Sequence, residues 1–301
     1  MDSSSGPGNA TAAINLKLFS VYLAYALIIP AITIIVEFLI AYDPSFRTAL
    51  SINLQDFHLY QLFTASFVHV NFDHFLGNVT AYLVIVIYGL ILASILNRKR
   101  LYLVLTKVIV GAFLVFGALF TFFNLTTTYY AGLSGIDAAL AGLVLLFWLL
   151  YLEEASGRDK GNYYGIALIV LLLLIIGIVG RYLMLYRTLA DSVLVLWLAG
   201  LAAMLVLAIV FLWNQVADLY RLQKRLPASS RLLTFSIIIA LGYFIWNIFP
   251  ARLANSTRVV SVSLHVSGVI LGILVGYFCM VYLGRIAWFR QEKEILLTLH
   301  S

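Results

Sequence analysis

The sequence predicts an all-α polytopic membrane protein, a helical bundle of about eight transmembrane helices with both termini in the cytoplasm. Composition, the length of the apolar segments and the distribution of basic residues lead to this class. Hydrophobic residues make up 63% of the 301 residues, charged residues make up 11%, and the mean hydropathy is +1.02. A soluble domain is closer to half apolar and one quarter charged. The composition therefore excludes a nucleic-acid-binding protein, a large soluble module and an intrinsically disordered chain.

Eight hydrophobic segments are long enough to cross a bilayer, which takes about 20 mostly apolar residues as a helix. Because lipid offers no hydrogen-bond partners to the backbone, we expect each segment to be helical. In chain order they are Leu18–Ala41, His74–Leu96, Leu101–Phe123, Ser134–Leu152, Tyr163–Gly180, Ser192–Trp213, Leu232–Phe249 and Val259–Leu283.

The basic residues favour cytoplasmic termini. If the N-terminus is inside, the inner segments hold 13 Lys and Arg residues and the outer loops hold 5, which is the asymmetry that the positive-inside rule expects. The net charge of +6 is then a signal of topology and requires no anionic ligand. We expect a flexible N-terminal tail over residues 1–17, a transmembrane domain over 18–285 and a cytoplasmic tail over 286–301, in the cell membrane.

The first outer loop, from Tyr42 to Asp73, is the one long connection between spans one to four. Long loops in compact proteins usually have a function. This loop mixes apolar and polar residues, and we expect it to lie partly sunk in the membrane interface.

A few polar residues within the spans are the candidate functional groups, because such groups are costly in lipid. Spans two, four and eight enter from the outer face, so we expect their polar residues in the outer third of the bilayer, with His265 about two helical turns deep. Glu37 and Lys107, by contrast, lie near span ends and are expected to extend to the interface. The candidates are His74, Asn78, Ser134, Asp137 and His265, with His69 just outside span two.

Ser134 stands at the start of span four, in Gly132-Leu133-Ser134-Gly135. One interpretation is an N-cap, the common role of a serine at a helix start. The other is a nucleophile, since the free N–H groups of a helix N-terminus would stabilise an oxyanion beside it.

His265 precedes a smooth helix face formed by Gly268, Gly272 and Gly276. Such glycines let a neighbouring helix approach closely. Span four has a matching face of small residues, so we expect the two spans to pack tightly and to bring His265 near Ser134, as its general base. A core histidine satisfied by some other group is the alternative. The small residues of span four are Gly135, Ala138, Ala139 and Gly142.

His74 and Asn78 lie one helical turn apart and project from one face. Both can donate hydrogen bonds to a developing negative charge, or they can form a buried polar pair. A metal site of His69, His74 and His265 is the less favoured interpretation, since no carboxylate or thiolate is placed to complete it. We expect neither a metal nor a cofactor, and the single cysteine, Cys279, excludes an internal disulfide.

Together these motifs resemble the rhomboid family of intramembrane serine proteases. The chain from His69 through His74 to Asn78 fits the family pattern H-x-x-x-x-H-x-x-x-N, Ser134 fits G-x-S-G, and His265 fits H-x-x-G-x-x-x-G. The three motifs also stand in the family's order. The resemblance covers spans one to four and span eight.

The resemblance implies a role for each matching position. Ser134 would be the nucleophile and His265 its base, while His74, Asn78 and the Ser134 backbone N–H would bind the oxyanion. His69 would support the outer loop. The substrates would be transmembrane segments of other membrane proteins within the lipid bilayer, cut near the outer face.

The sequence departs from the family pattern at several points. The family core has six helices, so two helices would be inserted here within about residues 160–250. Many members of the family have a Trp-Arg pair in the first loop, where this chain has Tyr60-Gln61. Many bacterial members have a tyrosine four residues after the serine, where this chain has Ala138. Span seven, with an aromatic outer end that includes Tyr243, is the expected lateral gate.

Two alternatives remain open at this stage. Asp137 lies three residues after Ser134 and would complete a triad if it oriented His265. The favoured interpretation is instead a hydrogen bond to a neighbouring helix or to water, because a desolvated carboxylate tends to be protonated. A rhomboid-like protein that binds transmembrane segments without cutting them is the alternative function. A transporter or channel is disfavoured, because no central span carries charges at midplane depth.

Overall fold

The computed structural model describes residues 16–53, 55–124, 129–130, 132–156, 226–248, 254–255, 258–259 and 262–283, with separate helical positions between 199 and 224. The predicted span five, part of span six, most of the predicted N-terminal tail and the whole predicted C-terminal tail lie outside the described residues. The described part is mostly helical. Its helices are α1 (Leu16–Ala26), α2 (Ile28–Tyr42), α3 (Ser45–Leu50), α4 (Gln61–Thr64), α5 (Phe72–Ile95), α6 (Lys99–Asn124), α7 (Ser134–Ser156), α8 (Ala228–Ile248) and α9 (Val262–Leu283).

Several of these helices suit a membrane. Among the described residues, the stretches Ser20–Tyr42, Phe72–Ile95 and Ser134–Leu152 are long and apolar enough to cross a bilayer. They correspond to predicted spans one, two and four. Two shorter apolar helical stretches, Ala228–Phe244 and Gly268–Cys279, overlap predicted spans seven and eight. The chain is therefore embedded in a membrane through apolar helices.

The loops between the helices contain two short strand pairs in addition to the predicted helical bundle. Strand β1 (Ile52–Asn53) pairs antiparallel with β2 (Tyr129–Tyr130), and β3 (Ala254–Asn255) pairs antiparallel with β4 (Arg258–Val259). These loop segments lie between helices, and their N–H and C=O groups require partners. Strand pairing supplies them, and the first pair joins the long first loop to the segment just before Ser134.

The β3–β4 ribbon also changes the depth of His265. Predicted span eight begins at Val259, but that residue belongs to β4, and α9 begins at Val262. His265 therefore lies in the first turn of its helix rather than two turns down. The histidine is at the helix end, at the same level as the start of α7.

Predicted span one is divided at Leu27. Pro30 has no N–H group and cannot donate to the Ala26 carbonyl, which locally breaks the helical ladder. Bonds of 3.0 Å from the Leu27 N–H to the Leu23 carbonyl, and from the Ala31 N–H to the Leu27 carbonyl, continue the chain across the break. The two pieces, α1 and α2, together cover the predicted span.

Helix α7 is the centre of the bundle. In its most apolar 18-residue stretch 94% of the residues are buried, whereas the corresponding stretch of Ser20–Tyr42 has 22% of its residues buried. It packs against α5, α6 and α9. At its C-terminal end Glu154 accepts a 3.0 Å hydrogen bond from Arg98, which follows α5. Helices α5 and α7 therefore run in the same direction, since their first residues also lie together at the other end.

Helices α7 and α9 are in backbone contact, as the small residues of spans four and eight predict. A Cβ atom on Gly272 would collide with the Ala139 carbonyl, and one on Gly268 would lie 2.7 Å from the Gly135 oxygen. One turn further along, Gly276 faces Leu146. These contacts advance along both helices together, so α7 and α9 are parallel and their N-termini lie side by side.

We expect Gly272→Ala to destabilise the bundle, because its methyl group meets the Ala139 carbonyl. Overpacking of this kind typically costs about 1–3 kcal/mol. Gly242→Ala on α8 is the matched control, since no described atom outside its own helix lies within 4 Å of a Cβ there. Thermal unfolding in detergent should show a lower midpoint for Gly272→Ala and an unchanged or higher one for the control. Equal midpoints would contradict the close contact.

Candidate active site

The N-terminal ends of α5, α7 and α9 meet at one end of the bundle. Ser134 is the first residue of α7, and His265 lies in the first turn of α9. His74 and Asn78 occupy the first two turns of α5, whose start is capped by Asn71. The Asn71 side-chain oxygen accepts a 2.8 Å hydrogen bond from the His74 backbone N–H. Helix starts on three different elements thus place the predicted polar residues together.

The Ser134 hydroxyl oxygen lies 2.7 Å from Nε2 of His265, although the two residues are 131 positions apart. His265 is 5% exposed and Ser134 is half-buried. Leu133, not Ser134, holds the N-cap position of α7, so the serine hydroxyl is directed to the histidine rather than to helix capping. A serine that donates to an imidazole nitrogen has the arrangement of a nucleophile beside a general base.

The loop before Ser134 lies directly against the start of α5. Gly132 has a φ of +123°, a conformation that residues with side chains rarely adopt. A Cβ there would lie 3.2 Å from His74 Cε1 and 3.5 Å from Asn78 Nδ2. Glycine is therefore required both for the backbone conformation and for the close approach to these two side chains.

Asn78 provides a buried hydrogen-bond donor beside this loop. The residue is 9% exposed, and no described group accepts a hydrogen bond from its Nδ2 atom. A buried amide without an acceptor is costly. This amide is suited to receive a negatively charged oxygen that forms next to Ser134.

His69 lies behind the site rather than in it. The ring is fully buried and stands edge-on to the His74 ring, with centroids 5.4 Å apart. Its Nε2 atom accepts a 3.4 Å hydrogen bond from the Leu133 backbone N–H, and its Nδ1 atom is 3.2 Å from Glu37. His69 therefore connects the first loop with the segment that precedes the serine.

Glu37 is a residue whose place the sequence did not predict. We expected its side chain to extend to the membrane interface, but it is only 15% exposed and pairs with His69. The sequence feature that could have pointed to this role is the position of Glu37. It is the single carboxylate in span one, and it lies near the outer end, where the histidines also lie. Its partner is 32 residues away in sequence, so no local pattern identifies the pair.

Asp137 does not orient His265. It is fully buried in α7, and neither carboxyl oxygen makes a hydrogen bond with any group that the structure describes. Its carboxyl interacts electrostatically with the phenol of Tyr82 on α5. No hydrogen bond therefore joins Asp137 to His265, as a Ser-His-Asp triad would require, and the side chains in contact are those of Ser134 and His265.

The first outer loop is folded around Gln61. This side chain is 2% exposed, and it accepts hydrogen bonds from the backbone N–H groups of His58 (3.1 Å) and Asn53 (3.4 Å). It also donates to the Ala49 carbonyl at 3.1 Å. Gln61 thereby holds the loop against the β1–β2 pair that leads to Gly132.

A metal centre is the remaining interpretation of the histidines. Within the residues that the structure describes, no three His, Cys, Asp or Glu side chains are grouped so that they could hold a metal ion. The geometry instead gives His69, His74 and His265 different hydrogen-bonding and packing roles.

In comparisons with known proteins, no protein-family model matches the chain, and neither a curated protein nor a solved structure matches it. The likeness to rhomboid proteases therefore consists of three short motifs, whose residues the fold brings together at one end of the bundle.

We expect Asp137→Asn to leave the reactivity of Ser134 nearly unchanged, because no hydrogen bond links this carboxyl to His265. The rate of labelling of Ser134 by a fluorophosphonate measures this reactivity. His265→Ala is the reference for loss of the base, and we expect it to slow labelling by roughly 100-fold or more. A decrease for Asp137→Asn as large as that for His265→Ala would restore the triad.

Proposed function

We propose that this chain is a rhomboid-like intramembrane serine endopeptidase that cuts transmembrane helices of other membrane proteins near the outer face. The observation that carries the proposal is the 2.7 Å contact between the Ser134 hydroxyl and His265 Nε2. The contact joins the ends of two parallel helices, and each end carries one of the family's motifs. The proposed partners are substrate transmembrane segments in the lipid bilayer, and the chemistry requires no cofactor or nucleic acid.

In the first step Ser134 Oγ attacks the carbonyl carbon of the scissile peptide bond while His265 Nε2 takes the hydroxyl proton. The product is a tetrahedral intermediate with a negative oxygen and an imidazolium. Histidine suits this step because its basicity lies close to neutral pH. The short Ser134–His265 contact means that the proton moves along a hydrogen bond that already exists.

The negative oxygen would be bound by donors on two helix starts. Asn78 Nδ2 is a buried donor on α5, the His74 ring lies next to it, and the Ser134 backbone N–H is at the start of α7. Donors fixed before the reaction stabilise the developing charge without reorganisation, and one such donor is worth about 100- to 1,000-fold in rate.

The intermediate then collapses, and the peptide C–N bond breaks. His265 gives its proton to the leaving amine, so the first product departs as a neutral amine and Ser134 remains acylated. A water molecule next attacks the ester, with His265 again as the base, and releases the carboxyl product and free serine. Ser134 is half-buried rather than sealed, and its place at the end of the bundle suits entry of water.

The proposed topology has eight spans, cytoplasmic termini and the site at the outer face of the cell membrane. Two parallel spans must be separated by an odd number of crossings. Predicted spans five, six and seven supply three crossings between α7 and α9. The end of the bundle opposite the site carries Arg98, one of a basic cluster that the positive-inside rule assigns to the cytoplasm.

Helix α8 is the proposed lateral gate, and the described residues give its aromatic end two different faces. Tyr243 is 71% exposed, whereas Phe244 is 4% exposed and packed in the core. The aromatic end is thus anchored on one side, while the other side faces the surroundings of the bundle. Trp246 and Phe249 lie outside the described side chains.

Cleavage of a model transmembrane substrate in proteoliposomes tests the proposed function. We expect Ser134→Ala to abolish cleavage and His265→Ala to reduce it by about 100- to 10,000-fold, because each removes one half of the dyad. Ser94→Ala is the control for loss of a buried hydroxyl, since Ser94 bonds only to its own helix, at the Leu90 carbonyl, far from the site.

Equal cleavage by the native protein and both dyad variants would refute the mechanism. Binding of the substrate helix without cleavage by any of them, the native protein included, would instead favour a rhomboid-like protein that only binds transmembrane segments.

A further inference from the structure

We propose that Glu37 on α2 is a positioning residue for the nucleophile, acting through His69 on the backbone that precedes Ser134. The inference rests on the proposed protease function. Glu37 does not touch the reacting atoms, so its effect passes through a chain of hydrogen bonds from α2 to the first loop and on to the start of α7.

The first link fixes the protonation of the His69 ring. One Glu37 oxygen, Oε1, accepts the His69 backbone N–H at 2.7 Å and lies 3.2 Å from His69 Nδ1. An ionised carboxylate only accepts hydrogen bonds, so Nδ1 carries the ring proton. In a neutral imidazole the other nitrogen, Nε2, then has a free lone pair.

The second link uses that lone pair. His69 Nε2 accepts the Leu133 backbone N–H at 3.4 Å. If Nε2 carried the proton, two N–H groups would face each other inside a fully buried contact, which is strongly unfavourable. The tautomer that Glu37 imposes is therefore the one that the Leu133 contact requires.

The third link reaches the site. Leu133 directly precedes Ser134, and Gly132 before it donates to the Ala65 carbonyl at 3.0 Å. Two consecutive N–H groups are thus fixed, and they set the direction of the peptide that carries the Ser134 N–H. The His69 ring also packs edge-on against His74, so a single carboxylate supports both sides of the proposed oxyanion site.

A role in anchoring the loop alone would affect stability, whereas a positioning role affects the chemical step. Glu37→Leu keeps the approximate bulk of the side chain and removes the acceptor. Glu37→Gln keeps one side-chain oxygen that can accept hydrogen bonds from the His69 backbone N–H and from Nδ1–H. Because the backbone N–H is a donor, the amide oxygen rather than the amide nitrogen must face it. Thr33→Val is the matched control, because Thr33 lies one turn earlier on α2, is buried, and bonds only within its helix, to Ile29 at 2.8 Å.

We expect Glu37→Leu to lower kcat for a transmembrane substrate by roughly 10- to 100-fold with little change in KM, since a small misplacement of a catalytic group costs that much. Glu37→Gln should recover most of kcat, and Thr33→Val should match the native protein. The proposal is overturned if Glu37→Leu lowers kcat no more than Thr33→Val, or if Glu37→Gln is as impaired as Glu37→Leu at the same thermal stability.

A second measurement does not depend on activity. Nitrogen-15 chemical shifts of labelled histidine report the tautomer of His69, with His69→Gln identifying its signals. We expect the Nδ1–H form in the native protein and in Glu37→Gln, and loss of that preference in Glu37→Leu. An Nε2–H form in the native protein overturns the positioning role even if cleavage occurs. Absence of cleavage by the native protein with the Nδ1–H form present refutes the protease function and leaves the hydrogen-bond chain standing.

Discussion

The contact on which the rest of the site depends is the backbone approach of α7 to α9. Gly268 and Gly272 let the second helix lie directly on the Gly135 and Ala139 carbonyls. In a membrane no hydrophobic effect drives two helices together, so close packing of small residues is a principal source of their association. The same approach brings the serine and the histidine, 131 residues apart, within hydrogen-bond distance.

Around that contact, buried apolar residues and polar residues occupy different positions along the helices. The middle of α7 is enclosed almost entirely by apolar neighbours, whereas its first residue meets the polar starts of α5 and α9. Loops that pair with one another complete this end of the bundle, through β1 with β2 and through His69 with Leu133. Gln61 and His69 thereby gain backbone partners, whereas Nδ2 of Asn78 has no acceptor among the described groups.

The sequence was informative where the signal was local or periodic. The start of α7 at Ser134 followed from the apolar segment that begins there, and the packing of α7 on α9 followed from the spacing of small residues on each helix. Both signals lie within single helices. The depth of His265 was wrong because a strand pair, formed by two segments of the same loop, takes the residues expected to begin the helix. The division at Leu27 has a local cause in Pro30, which hydropathy alone does not register.

Long-range polar partners were beyond prediction from the sequence. Glu37 meets His69 only because α2 and the first loop fold onto each other, and Gln61 is buried by segments on both sides of it in the chain. Asp137 shows the converse case, since its spacing from Ser134 allowed a shared site, yet its carboxyl makes no hydrogen bond to His265. Spacing on one helix indicates which residues share a face but not which neighbour that face meets.

The parallel glycine contact also determines which motions the molecule can make. A shift of α9 along α7 by a single residue would move side chains into the Ala139 and Gly135 carbonyls, so the two helices cannot slide past each other and behave as one rigid body. A bundle that keeps this helix contact therefore also keeps the 2.7 Å separation of Ser134 and His265. In the proposed protease, a substrate helix would therefore enter through displacement of helices outside this pair, with Ser134 and His265 still aligned.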